Sequence, residues 1–274
     1  MDMAGLSISK AWDDTKRIVA HDGRLIASVA LALVALPTAV TSLIDPKGAA
    51  GVSGPRWMLV VMLVASLAAL AGQLALVRLA LGPSITVGSA IAHGLKRMPI
   101  YLLSAILIVV VLMALAIPFG LALAALGVPV DAKTMPMTPG VTFVLLLFIA
   151  LVVFIAVRML MTAPVASAED IGPVAIIQRS WSLTAGHWWR LLGFLLSFFI
   201  GAVVALLAVS AVSGAVAALL FGPIEPMSAS ALLVALVEAL ANAAITGLFA
   251  VMLARIYAQL AGSGVQASVP SSGT

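Results

Sequence analysis

Residues 191–221 form a stretch of 31 positions without one charged side chain. As a single helix it would reach about 46 Å, longer than the roughly 30 Å hydrocarbon core of a bilayer, so it is expected to tilt, bend or protrude. It is too short to be two spans. Five more apolar runs have spanning length: 25–44, 57–81, one that starts at Ile100, 141–161 and 231–260. Pro118 and Gly120 are expected to kink or stop the third of these. A chain that is 64% hydrophobic and 9% charged cannot hide that much apolar surface in a soluble core of 274 residues. The fold class is therefore all-α, a polytopic membrane protein with six transmembrane helices.

Three amphipathic stretches lie between the runs and read as helices on the membrane surface. The first covers 6–21, with Ile8, Ala11, Trp12, Thr15, Ile18 and Val19 on one face and Lys10, Asp13, Asp14, Lys16 and Arg17 opposite; Asp22-Gly23 is expected to end it. About 24 residues, Asp13, Asp14 and Asp22 among them, precede an apolar run longer than a secretory h-region, so Leu25 onward is read as an anchor. The second begins at Ser84 as N-cap, uses Val87, Ile91, Leu95 and Met98, and sets Lys96 and Arg97 on its polar side. Pro99 then marks the turn into lipid. The third runs through Val174, Ile177 and Trp181, with Gln178, Arg179 and Ser182 facing elsewhere and Glu169 and Asp170 as candidate caps. Gly186 is its expected stop. His187, Trp188, Trp189 and Arg190 follow as a cluster suited to the headgroup level.

The basic residues test this plan independently of hydropathy. Lys10, Lys16, Arg17, Arg24, Arg78, Lys96, Arg97, Arg158, Arg179, Arg190 and Arg255 fall on one side, against Lys47, Arg56 and Lys133 on the other, eleven against three. Both termini are then cytoplasmic, and all three surface helices lie on the leaflet where anionic lipid attracts cations. The lipid-contacting set is Trp12, Arg17, Arg24, Lys96, Arg97, Arg179, Trp181, Trp188, Trp189 and Arg190. The layout also predicts a threefold internal repeat: a surface helix and two spans, with Arg78, Arg158 or Arg255 near the end of the second. The units are 6–83, 84–164 and 170–262, within one membrane domain of 1–262 followed by a disordered tail, 263–274.

Chemistry is thin. There is no cysteine, hence no disulfide, thiolate site or cysteine nucleophile. His21, His93 and His187 are far apart in sequence and lack paired carboxylates, so they read as interfacial side chains and not as metal ligands. Nothing resembles a P-loop, an HExxH helix or a GxSxG elbow. No cofactor, no metal and no nucleic-acid partner is expected. Within the spans, Glu238 and Asn242 stand i, i+4 apart with Thr246 continuing the face, and Gln73 on the second span is a candidate partner. A carboxylate at depth costs a few kcal/mol unless protonated, paired or wet, so this face should point into the bundle. Ser197, Gly201 and Ala205, then Ser210 and Gly214, read as small residues for close helix contact.

The stretch around Ala175, Ser180, Trp181, Leu183, Gly186, Trp189 and Arg190 resembles the signature of the glycerophosphoryl diester phosphodiesterase membrane-domain family and the related YciC-like bacterial inner-membrane proteins. The resemblance implies six spans with cytoplasmic surface helices. In some members such a domain precedes a phosphodiesterase domain, but this chain ends about a dozen residues after its last span, so that activity is not expected here. Three functions follow in order of expectation. The first is a non-enzymatic membrane protein that organises or senses the cytoplasmic leaflet, alone, as a homo-oligomer or as a partner of envelope-lipid proteins. The second is a small transporter or channel using the Glu238 and Asn242 face. The third, a lipid-modifying enzyme, would need an interfacial titratable cluster.

Overall fold

The computed structural model describes residues 6–44, 56–81, 86–128, 138–223, 225 and 228–267. Among the described residues every regular element is a helix. Helix α1 (Ile8–Ala30) opens at Ser7, whose hydroxyl accepts from the Lys10 amide at 3.3 Å. It does not stop at Asp22-Gly23. It passes through a π-helical turn, Leu31–Ala35, into α2 (Leu36–Ile44), so the expected surface helix and first span are one rod. A glycine in a helix costs about 1 kcal/mol, less than the unsatisfied backbone groups a break beside lipid would leave. The wide turn ends where Pro37 enters; there it spares the proline ring a clash with the carbonyl four residues back.

The rest follows as α3 (Arg56–Leu81), α4 (Val87–Ala125), α5 (Pro139–Arg158), α6 (Thr162–Ala168), α7 (Pro173–Thr184), α8 (Trp188–Phe221) and α9 (Ala229–Ala267). Thr86 caps α4, its hydroxyl accepting from the Ser89 amide; the expected cap, Ser84, lies outside the described residues. Helix α4 runs through Pro99, Pro118 and Gly120 without ending, since a prolyl forfeits one amide bond while a full break forfeits several. Helix α9 continues to Ala267, so the expected tail begins as helix: once formed, each added residue gains an i to i−4 bond. Residues 45–55, 82–85 and 129–137, and the end of the expected tail, lie outside the described residues.

Helix α9 is the central post, packed by α1, α2, α3 and α8, and α3 in turn packs α4. Between helices in lipid there is no hydrophobic drive, so dispersion and close approach decide the contacts. The sequence provides them as a buried ladder on α9: Ala231, Ala235, Ala239 and Ala243, all at most 2% exposed, continued by Gly247 against Ile26 and Ala30. Two other glycines mark the tightest crossings. A Cβ on Gly72 would lie 2.7 Å from Leu33 Cβ, and one on Gly94 would lie 2.5 Å from the Ala71 carbonyl oxygen.

Six helical rods are long and apolar enough to cross a bilayer: Ile8–Ser42, Arg56–Leu81, Val87–Ala125, Pro139–Ala168, Trp188–Phe221 and Ala229–Gly262. Their outer faces carry uncovered Val110, Met113, Phe143, Leu146, Phe199 and Leu207. That much exposed apolar side chain needs lipid around it, as in a multi-pass membrane protein. The units of the expected repeat differ in build: its surface segments are fused to the spans in α1 and α4, and only α7 stands alone.

Contacts sort the residues by end. The Ser7 amide donates to Gln259 Oε1 at 3.1 Å and Arg190 donates to the Leu6 carbonyl at 3.2 Å, which places the start of α1, the start of α8 and the last turns of α9 together. Ser42, Ser210, Ala231 and Glu238 gather at the opposite end. Because the native chain has no cysteine, single cysteines report sidedness cleanly. Ser9→Cys and Ser182→Cys are expected to react with a membrane-impermeant maleimide from one face of the membrane and Glu225→Cys from the other. Labelling of the first two from opposite faces would break the arrangement.

Candidate functional site

The arginine-rich end is built around the break between α5 and α6. Helix α5 stops at Arg158, and its terminal carbonyls need donors. Ser180 Oγ, fully buried on α7, donates to the Arg158 carbonyl at 2.7 Å, and Thr184 lies one turn further on the same buried face with Ile176 and Leu183. This face is not the one the apolar spacing picks out. Val174 is exposed and Trp181, partly exposed, sets its ring edge-on against Phe154 of α5, while the buried face uses two hydroxyls. Gly186, at φ +79°, makes the expected stop between α7 and α8.

The Arg158 side chain folds back between aromatic rings, 5.3 Å from the centroid of Phe154 and 5.1 Å from that of Trp181. It also reaches the Trp181 carbonyl at 3.4 Å. Trp188 is half-buried, tilted against Phe154 and edge-on to Trp189. Of the expected lipid-facing tryptophans it is therefore partly a packing residue. Trp189 is 78% exposed, and Trp12 is exposed as well.

Glu169 and Asp170 do not cap α7, whose N-cap is Gly172 with no side-chain bond. They work as clasps across the bundle. Glu169 Oε1 accepts from Arg179 Nε at 3.0 Å and from the Tyr257 hydroxyl at 2.8 Å, tying α7 to α9. Asp170, with its side chain 93% exposed, pairs at 2.7 Å with Arg97 of α4, whose side chain is only 10% exposed. Arg97 and Arg179, both in the expected lipid-contacting set, are thus engaged with protein carboxylates. Lys96, Arg17, Arg24 and Arg190 remain exposed. Arg17 lies 3.9 Å from Asp14, and among the described residues Arg190 meets only the Leu6 carbonyl.

The same end holds three further ties. Arg255 donates to the Ala80 carbonyl at the end of α3. Ser167 donates to the Leu74 carbonyl at 3.1 Å, and His93 Nε2 lies 2.9 Å from the Ser167 carbonyl. His187 meets the Ala185 carbonyl and His21 is exposed, so the histidines stay apart; among the described residues no group of three metal-capable side chains forms.

At the opposite end Glu238 is half-buried and lines a cavity of about 150 Å³ with Ser42, Ser210 and Gly214. Asn242 falls one turn along the same stripe of α9, but neither it nor Gln73 lines that cavity, and no hydrogen bond joins Gln73 to Glu238 among the described residues. The expected close contacts through Gly201 and Gly214 do not form either: a Cβ on either would meet nothing within 4 Å. The packing ladder is on α9, where small residues recur every fourth position and could be read in the sequence by that spacing.

A family model described as a domain of unknown function (DUF7847) matches residues 6–260. The chain belongs to that family. The matched stretch takes in every tie just described, from the Leu6 carbonyl to Tyr257 and Gln259. No curated protein and no solved structure matches the chain.

Proposed function

We propose that the protein is a non-enzymatic membrane protein that gathers anionic lipid at one leaflet, the cytoplasmic leaflet of a bacterial inner membrane. Its role is membrane or lipid organisation, alone or beside envelope-lipid proteins, in the manner of the glycerophosphoryl diester phosphodiesterase membrane domains its α7 region resembles. One observation carries this reading: a division of labour among the cations at one end. Arg97, Arg158, Arg179 and Arg255 are turned onto protein partners and hold the fold. Lys96, Arg17, Arg24 and Arg190 stay exposed, as do Trp12 and Trp189, and exposed cations and indoles suit the headgroup level.

A basic side chain near an anionic surface contributes about 1 kcal/mol. A Lys96→Gln and Arg24→Gln double variant is therefore expected to lower the ratio of phosphatidylglycerol to phosphatidylethanolamine that co-purifies with the protein at least twofold. The fold should be retained, since neither residue holds a protein partner among the described residues. An unchanged ratio by lipid mass spectrometry would rule the reading out. A transporter on the Glu238 and Asn242 face is less well supported, because the cavity at Glu238 holds only about 150 Å³ and Asn242 does not line it.

A further inference from the structure

Between α1, α8 and α9 runs an open apolar groove of about 740 Å³, within the roughly 300–1,000 Å³ of small-molecule sites. One side is α8, where Gly193, Ser197, Gly201 and Ala205 recur every fourth residue; the other is Ile245, Leu248 and Met252 of α9. Ile8, Ser9 and Trp12 of α1 close the end nearest Arg190. The α9 ladder of alanines spends its smallness on helix contact, but the α8 ladder does not: Gly193 and Gly201 face open space. Side chains this small, left uncovered, keep a channel clear along the helix.

We infer that this groove holds one acyl chain of an anionic phospholipid whose phosphate sits at Arg190. Its length and its charge select that occupant. From Gly193 to Ala205 the groove follows α8 for about 18 Å, close to the roughly 15 Å depth of one leaflet, so a chain entering at the headgroup level fills it and reaches the midplane. The cation stands at the correct end and on the correct face: Ser197 and Gly201 follow Arg190 by seven and eleven residues, on the same side of the helix. The Arg190 guanidinium gives one bond to the Leu6 carbonyl, and no carboxylate pairs with it among the described residues, so it has donors for a phosphate. Trp12, exposed at the same mouth, lies at the headgroup level beside it.

This site rests on the lipid-gathering reading above, and the test separates the two. The full chain in detergent is titrated with palmitoyl-oleoyl phosphatidylglycerol, and separately with the phosphatidylcholine of the same chains, under native mass spectrometry. The wild type is expected to hold one lipid tightly, with the anionic headgroup preferred. Gly201→Leu and Gly193→Leu, which meet no neighbour and should keep the melting temperature, are expected to lose that lipid at least tenfold for both headgroups. Arg190→Gln is expected to lose the anionic preference at least fivefold and keep the chain. Lipid retention by both leucine variants at the wild-type level overturns the groove even where the Lys96 and Arg24 variants still lose phosphatidylglycerol. Disulfide-linked dimers of Gly201→Cys in the membrane, with no tight lipid, overturn it in favour of a second copy of the chain.

Discussion

Gly94→Leu is expected to prevent the bundle from assembling, while Gly201→Leu leaves it intact. Both glycines lie in long apolar helices, and only the first is spent on a crossing. A Cβ at residue 94 would stand 2.5 Å from the Ala71 carbonyl oxygen and 3.2 Å from the Ala75 amide nitrogen, backbone atoms of α3 that cannot rotate aside. Helix α4 would have to move off α3, uncovering Ala71, Leu74 and Ala75, which are at most 1% exposed. Overpacking a well-packed contact costs about 1–3 kcal/mol, and a four-carbon side chain against backbone belongs at or above the top of that range. Gly94→Ala gains up to about 1 kcal/mol of helix propensity and still meets the same oxygen, so it should lower stability by less. The measurement is thermal stability in detergent by fluorescence-detected chromatography: Gly94→Leu aggregates or elutes as unfolded material, Gly94→Ala melts earlier than wild type, and Gly201→Leu melts with it. A Gly94→Leu protein of wild-type stability would mean that α3 and α4 do not cross at this point.

Why the sequence pointed to the wrong small residues has a physical answer. Spacing of four identifies a smooth stripe on a helix, but not whether protein or lipid lies against it, because both are apolar. Thus Ser197, Gly201 and Ala205 read as packing and turn out to line an open groove, while Ala235, Ala239 and Ala243 are the packed ladder. The spans themselves were legible, since their length against the bilayer is a one-dimensional property; all six apolar runs reappear as rods. Helix ends were less so. Gly23, Pro99 and Pro118 carry breaker chemistry, yet the helices continue, because in lipid the alternative to a costly residue is a row of unpaired backbone groups.

The polar end shows the same division. That Arg158 and Trp181 matter could be read from their interfacial positions. Their meeting, 23 residues apart across the turn of α6, could not. Nor could the roles of Glu169 and Asp170. A pair of acids just before a helix reads as a cap, and only the fold brings Tyr257, 88 residues away, and Arg97 within reach of them.

Those clasps lead to the second large effect, the release of α7 by Glu169→Ala. A helix of 12 residues has little stability of its own, so α7 stays where tertiary contacts keep it. Removing the carboxylate deletes the acceptor of the Tyr257 hydroxyl, and Tyr257 is 7% exposed and part of the core cluster. An abandoned buried hydroxyl costs about 1–3 kcal/mol. The Arg179 pair contributes less, because its side chain is 43% exposed and water screens it. The net loss is then about 2 kcal/mol, roughly a thirtyfold rise in the population of the opened form. A cysteine placed at the buried Leu183 should become correspondingly more reactive toward a thiol reagent in the Glu169→Ala background. Adding Tyr257→Phe removes the stranded hydroxyl and should restore much of the protection, whereas a role for Glu169 through Arg179 alone would leave the double variant as open as the single one. Wild-type protection of Leu183→Cys in Glu169→Ala would show that Ser180, Thr184 and the Arg97–Asp170 pair hold α7 without this clasp.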